Sequence, residues 1–248
     1  MTGTLAHISR HPIKGYGRED LASVLLSAGA CLPFDRHWAV AHTAAKLTPG
    51  WNPCVNFSRG AKAAPLMAVT AELNEDLREV TLQHPEAGSI RFRPDDPADL
   101  PRFLAWARPL NPADRALPDQ IVSAGRGMTD SPFPSVSILS RASLADLSAR
   151  MGLELSVHRW RGNLWLDGAD PFAEFDWIGR HIRIGGAVLK IEERITRCKA
   201  TTVNPETGHR EGDTLTALEA AYGHQDFGVY ATVVDGGPVA RGSEWSLA

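Results

Sequence analysis

Short runs of alternating apolar and polar residues recur along the chain, and a period of two marks half-buried strands. TLAHISRH reads as a strand that ends in the turn Pro12-Ile13-Lys14-Gly15. In FDRHWAVAH, Trp38, Val40 and His42 alternate with Ala39 and Ala41. MAVTAEL, EVTLQ and IRFR, separated by charged or glycine-containing turns, predict an antiparallel meander. HIRI and AVLKIEERI make a hairpin around Gly185-Gly186, and FGVYATVV is a late strand before a Gly-Gly turn and a last edge. Residues 21–28 suit strand or helix. Helical spacing is rarer. Leu144, Leu147 and Met151 fall at i, i+3 and i+7, with Ser140 or Ser143 as cap and Gly152 as stop. PRFLAWA is a shorter helix, and Asp213 caps another that runs through Leu218 and Tyr222. Many short strands, few helices and Gly/Pro punctuation predict a mainly β fold with minor α.

Composition divides this pattern in two. A stretch rich in proline and acids, RPDDPADLPRFLAWARPLNPADRALPD, interrupts the strands, and a shift of that kind marks a domain boundary. It falls near residues 108–120, giving a first domain of 1–110 and a second of 118–248. The 248 residues allow two ordinary domains, and 43% hydrophobic content supplies a core. Net charge is −3, so nothing draws the whole chain to nucleic acid or to an anionic membrane, and anion binding must come from local charge. The three cysteines, Cys31, Cys54 and Cys198, include no C-x-x-C pair. A disulfide framework, a cysteine zinc site and a cysteine-only iron–sulfur cluster are therefore not expected. No apolar run reaches membrane-spanning length and the N-terminus lacks an apolar leader, so a reducing cytoplasm is the expected compartment.

The chemistry concentrates in residues 192–208, EERITRCKATTVNPETG. Cys198 is flanked by Arg194, Arg197 and Lys199, and neighbouring cations favour a thiolate, the form that attacks sulfur and binds soft metals. It follows a strand and precedes an Asn-Pro turn, which places it at a strand end before an ordered loop. The bland alternative is a small buried core cysteine. In HRWRGN, Arg159, Arg161 and Asn163 are two apart and share one face if the segment is a strand, forming a clamp for a dianion. The alternative is an arginine pair bridging Glu154 or Asp167. Arg36 is either a phosphate ligand or a partner of Asp35 or Glu19. Thr129 and Ser131, in a polar loop, are weaker phosphate candidates. His224 is a possible proton donor, although lone histidines are usually structural. TPGWNPCVNFSRGAKAAP reads as a long loop lining a pocket mouth; Cys54 within it has no partner motif and receives no role.

RCKATTVNPETG, followed by DTL and FGVYATVVDGG, resembles the signature of MOSC domains, named after the C-terminal part of molybdenum cofactor sulfurase. HPIKG and FDRHW resemble the β-barrel domain that precedes it in such proteins, and HRWRGN with PFAEFDWIG resembles the middle of that architecture. The layout is most similar to the amidoxime-reducing components. The resemblance implies a MOSC β-barrel plus a β-rich N-terminal domain, with a cofactor groove between them. It also implies a molybdenum–molybdopterin cofactor, with no pyridoxal phosphate and no intrinsic iron–sulfur cluster. Cys198 would ligate the metal, and Lys14, Gly15, Arg36, Arg161, Asn163, Arg197 and Tyr230 would bind the cofactor. Tyr230 could equally pack into the barrel. Where the family often has serine after the lysine, this chain has Gly15, which loses a hydroxyl but keeps a backbone amide. The acids of PFAEFDWIG would brace arginines from behind. The implied activity is reduction of N-hydroxylated small molecules with electrons from a separate protein. The family's other role is a sulfur carrier bearing a persulfide on Cys198.

Overall fold

The computed structural model describes residues 1–247. Seven strands close into a barrel in the order Leu164–Asp167, Val136–Ser140, Asp226–Asp235, Ala187–Thr196, His181–Ile184, Glu244–Leu247 and Thr2–Arg10; the last pairs back to Leu164–Asp167. All neighbours are antiparallel except Val136–Ser140 with Leu164–Asp167. Closure leaves no barrel strand with an unpaired edge. Alternation along each strand sends Leu5, Ile138, Leu166, Ile184, Leu189, Ile191, Val229 and Trp245 into one buried cluster. Burying each aliphatic side chain of this kind stabilises the fold by about 1.5–3 kcal/mol.

The second lobe has a three-stranded sheet in which Trp38–His42 lies between Ile13–Lys14 and Pro118–Ser123. Beside it stands the expected meander Thr70–Asn74, Glu79–His84 and Gly88–Phe92, covered by the helix Leu100–Ala107. Strand Trp38–His42 is buried on both faces apart from His42, so its alternation separates two apolar surroundings rather than core from water.

The lobes exchange strands relative to the division at residues 110–118 expected from composition. Thr2–Arg10 belongs to the barrel, and Pro118–Ser123 pairs inside the first lobe. Composition registers a polar linker, whereas sheet membership depends on partners more than a hundred residues away. Residues 21–28 resolve as strand: Glu19–Leu21 extends the sheet from Thr2–Arg10, and Ser23–Leu26 pairs with Gly237–Ala240. The helices form as the sequence predicts. Arg141–Met151 begins at Ser140, whose hydroxyl accepts the Ser143 amide, and ends at Gly152 in the left-handed region (φ 60°). Thr214–Tyr222 is capped by Asp213.

Candidate functional site

A cavity of about 450 Å³ opens between the lobes, and Lys14, Gly15, Arg36, Arg161, Asn163, Arg197, Cys198 and Tyr230 all line it. Two backbone features present Cys198. The pair Ala187–Thr196 and Asp226–Asp235 shifts register twice on the approach to the cysteine, between Ile191 and Glu193 and between Arg194 and Thr196. Such bulges re-aim a strand end. Beyond it, the Cys198 carbonyl accepts both the amide and the hydroxyl of Thr201 at 3.1 Å, starting a tight turn over Lys199–Thr202. Cys198 itself is exposed, not a core residue. Of its flanking cations, Arg197 and Lys199 line the cavity. Arg194 instead lies over the Phe175 ring at 4.3 Å.

The clamp does not rest on a strand. Val157–Trp160 is a 3-10 turn, and Arg161 leaves it in the left-handed region at φ 48°. The face-sharing expected of Arg159 and Arg161 therefore fails, because the turn rotates them apart. Both touch the cavity, but the Arg159 guanidinium is engaged by Glu211, through its carbonyl at 2.7 Å and its carboxylate. Glu154 and Asp167, the expected partners, are not the residues it meets. Asn163 has both ends of its amide bonded within the protein: Oδ1 accepts from Ser137, and Nδ2 donates to the Ser9 carbonyl at 3.2 Å. It braces the wall that it lines.

Arg36 also sits at positive φ, 52°. Non-glycine residues held there cost of order 1–3 kcal/mol and cluster at functional sites. The two strained arginines are tied together, since Arg36 Nη2 donates to the Arg161 carbonyl at 2.8 Å. Arg36 is paired with buried Asp35, and Asp35 also accepts the His11 amide at 2.8 Å. Burial alone would raise the Asp35 carboxyl, but Arg36 and His11 outweigh it and hold the group well below the usual range. Burial, with Arg161 and Arg36 nearby, pushes His11 down to about 3, so it is neutral.

Lys14 donates to the Met128 carbonyl at 2.7 Å and to Asp130 at 2.5 Å, and burial holds its ammonium below the ordinary lysine range. Gly15 is at φ 83°, and a Cβ there would stand 2.3 Å from the Ser58 carbonyl oxygen. Any side chain at this position would be strained and would require the neighbouring backbone to shift.

Arg161 and Arg197 differ from the other two cations. Arg161 donates Nη1 to the Gly17 carbonyl at 3.1 Å, while its buried Nη2 has no partner. Burial and then Arg36 hold it down to about 9. Arg197 donates to the Trp160 carbonyl at 2.9 Å and to the Phe227 carbonyl at 2.8 Å, and burial lowers it to about 10. Burial first, and Asp130 second, raise the Tyr230 phenol to about 12.

Sequence reasoning missed part of this lining. Arg59 and Lys62 come from the long loop, as does Cys54, whose sulfur lies 2.7 Å from Arg59 Nη1. Asp130 lies in the polar loop scanned only for hydroxyls. Thr129 lines the cavity, whereas the Ser131 hydroxyl is directed to Phe133 and Ser135. His224 does not line it; the ring is packed among Phe172, Phe175 and Tyr222. Glu174 accepts the Ser143 hydroxyl at 3.1 Å rather than bracing an arginine, and burial pushes it up to about 7. Altogether Lys14, Arg36, Arg59, Lys62, Arg159, Arg161, Arg197 and Lys199 line the cavity against one carboxylate, Asp130. A chain of net charge −3 has gathered a strongly positive, partly desolvated cleft around one exposed thiol.

Fold and site thus define a β-barrel protein with a strongly positive cleft and an exposed cysteine in its lining. Residues 128–246 match the MOSC domain family. Mitochondrial amidoxime-reducing component 1 of Homo sapiens is 37% identical over 121 residues, 47% of this chain and 33% of that protein. Its Danio rerio counterpart is 40% identical over 73 residues, 29% of this chain and 22% of that protein. Molybdenum cofactor sulfurase of Drosophila grimshawi is 33% identical over 94 residues, 38% of this chain and 12% of that protein. The matches therefore span a third or less of these relatives' length. Among solved structures, the YuaD protein from Bacillus subtilis aligns over 100% of this chain and 96% of its own at TM-score 0.48 and 12% identity.

Proposed function

We propose that the cleft binds a molybdenum–pterin cofactor through its phosphate and that the protein reduces N-hydroxylated small molecules. The observation that carries this reading is the buried Arg161 Nη2, unpartnered among the described residues, in the same cavity as Arg197 and the exposed Cys198. The donor set fits such a group. A phosphate dianion would take the free arm of the Arg161 fork, and charge-assisted bonds of this type are the strong ones. The Cys198 thiolate would be the protein's ligand to molybdenum, a soft donor presented from a turn rather than from a flexible tail. When bound, the metal centre supplies two-electron removal of oxygen from the substrate. This chain's own residues hold the phosphate end, exclude water from the arginine floor and present the thiol. Tyr230, protonated at neutral pH, is a hydrogen-bond donor facing the same space. Electrons come from a separate protein.

The rival reading is a sulfur carrier with a persulfide on Cys198, favoured by the exposed sulfur and by the similarity to molybdenum cofactor sulfurases. A carrier has no evident use for eight cations around the cysteine. The two separate on protein made in hosts with and without molybdopterin synthesis. The reductase reading requires bound molybdenum, and reduction of an N-hydroxylated compound with a chemical electron donor, only from the competent host. One labile added sulfur on Cys198, with no metal and no reduction under either condition, would establish the carrier instead.

A further inference from the structure

Outside the cavity, His7, Asp20 and His158 converge from three segments: the barrel strand Thr2–Arg10, the strand Glu19–Leu21 and the turn Val157–Trp160. His7 Nε2 stands 3.0 Å from Asp20 Oδ1, and His158 Nε2 stands 3.6 Å from Asp20 Oδ2. One donor atom from each residue lies within 4.8 Å of the others. Two donors bound tetrahedrally to one zinc ion at 2.0–2.1 Å lie about 3.3–3.4 Å apart. The two measured separations run to the two oxygens of the one carboxylate, so the histidines approach it from either side at about that spacing.

His7 Nε2 also lies 2.7 Å from the Ser9 hydroxyl, so hydrogen bonds account for the His7 side of the cluster but not for the His158 side. A separation of 3.6 Å is too long for a hydrogen bond to hold His158 to Asp20. The other nitrogen of that ring, Nδ1, is buried without a partner among the described residues, so the outer hydrogen bond that usually orients a ligating imidazole is not supplied by protein. Ser9, meanwhile, donates to Asp20 Oδ1 at 3.0 Å, orienting the carboxylate from behind, as partners of metal ligands do. The nearby cation Arg18 is offset, with its fork donating to Glu206 and to the carbonyls of Met67 and Pro205. The two histidine side chains are 17% and 18% exposed and Asp20 40%, which leaves an entry path on the carboxylate side.

We propose that His7, Asp20 and His158 form a zinc site that pins the turn Val157–Trp160 to the first barrel strand. Two imidazoles and one carboxylate are the borderline nitrogen and oxygen donors that zinc takes, with water filling the fourth position. Arg161 is the next residue after that turn and projects into the cleft from a strained backbone, so the ion acts as a positioning device for the arginine floor. The proposal stands whatever ligand the cleft holds.

The test uses the full chain carrying Cys198→Ser, to remove the exposed thiol, and stripped with chelator. Co2+ and Zn2+ are titrated separately. One equivalent of Co2+ is expected, with the visible absorption of a four-coordinate nitrogen/oxygen site and no near-ultraviolet sulfur band, and Zn2+ is expected to raise the melting temperature. His7→Ala and His158→Ala each weaken binding by at least roughly tenfold, while the metal-free variants keep the parent's circular dichroism. Should either fail to fold, His7→Asn and Asp20→Asn take their place with the same expectation. Absence of a bound equivalent, a cobalt–thiolate band, or undiminished binding in the His7→Ala/His158→Ala double variant overturns the site.

Discussion

Lys14 and Arg36, on the wall of the cleft contributed by the first lobe, each face a carboxylate. Asp130 stands 2.5 Å from the Lys14 ammonium, and Asp35 is the buried partner of Arg36. Arg161 and Arg197 donate only to carbonyls among the described residues, Arg197 also lies over the Trp160 ring at 5.6 Å, and one arm of Arg161 has no partner there. The pKa directions follow this division. Burial is the largest influence at Arg36, but Asp35, Asp130 and Tyr230 together outweigh it and hold the group above its ordinary value, whereas burial prevails at Arg161 and Arg197. A compensated cation is already satisfied and chiefly holds structure. An uncompensated one in a desolvated cleft is in an unfavourable state that an anion relieves, so binding energy concentrates there. The family's motif positions thus hold two kinds of residue that motif reading treats as one.

The largest effect expected is at the thiol. Cys198→Ser should remove bound molybdenum and all reduction while leaving the fold intact, because a hydroxyl is a harder and much weaker ligand. Undiminished metal content in the folded variant would end the ligand assignment. Next is Arg36→Ala, which leaves Asp35 buried without its partner; a loss of about 3–5 kcal/mol of folding stability in urea melts is expected. Arg161→Ala should do the reverse, with little change in folding but about 2–5 kcal/mol less anion affinity, read as phosphate or cofactor retention through dialysis. Lys14→Ala should weaken retention less than Arg161→Ala, since its charge is already matched by Asp130. If Lys14→Ala proved the weaker binder of the two, the division between the walls would fall.

The smallest effect is a pH dependence. His11 titrates at about 3 folded and near 6.5 when unfolded. As pH falls below 6.5 the unfolded chain takes up a proton that the folded chain refuses, so stability drops across the window from 6.5 to 3. Between pH 7 and 5 this amounts to about 2 kcal/mol. His11→Gln should flatten that limb when urea midpoints are compared at the two pH values; an unchanged slope would mean that His11 is not held neutral by the compensated wall.

The local grammar of the chain was enough to determine much of this protein. Period-two alternation predicts the strands and the meander, Ser140, Gly152 and Asp213 mark helix ends, and Arg197 and Lys199 beside Cys198 mark the lining of the cleft. Those signals are short-range, carried within a few residues. Tertiary structure decided what depends on distant partners. Thr2–Arg10 closes the barrel because its partners lie at Leu164–Asp167 and Glu244–Leu247. Any side chain at Gly15 would be strained and would require the Ser58 backbone to shift. Arg159 and Arg161, two residues apart in one motif, meet different fates because a 3-10 turn carries one to the Glu211 carboxylate, whereas the other donates only to the Gly17 carbonyl among the described residues. A sequence states which charges are present, but only the folded chain determines which of them are neutralised, because pairing and desolvation are set by neighbours that sequence spacing does not reveal.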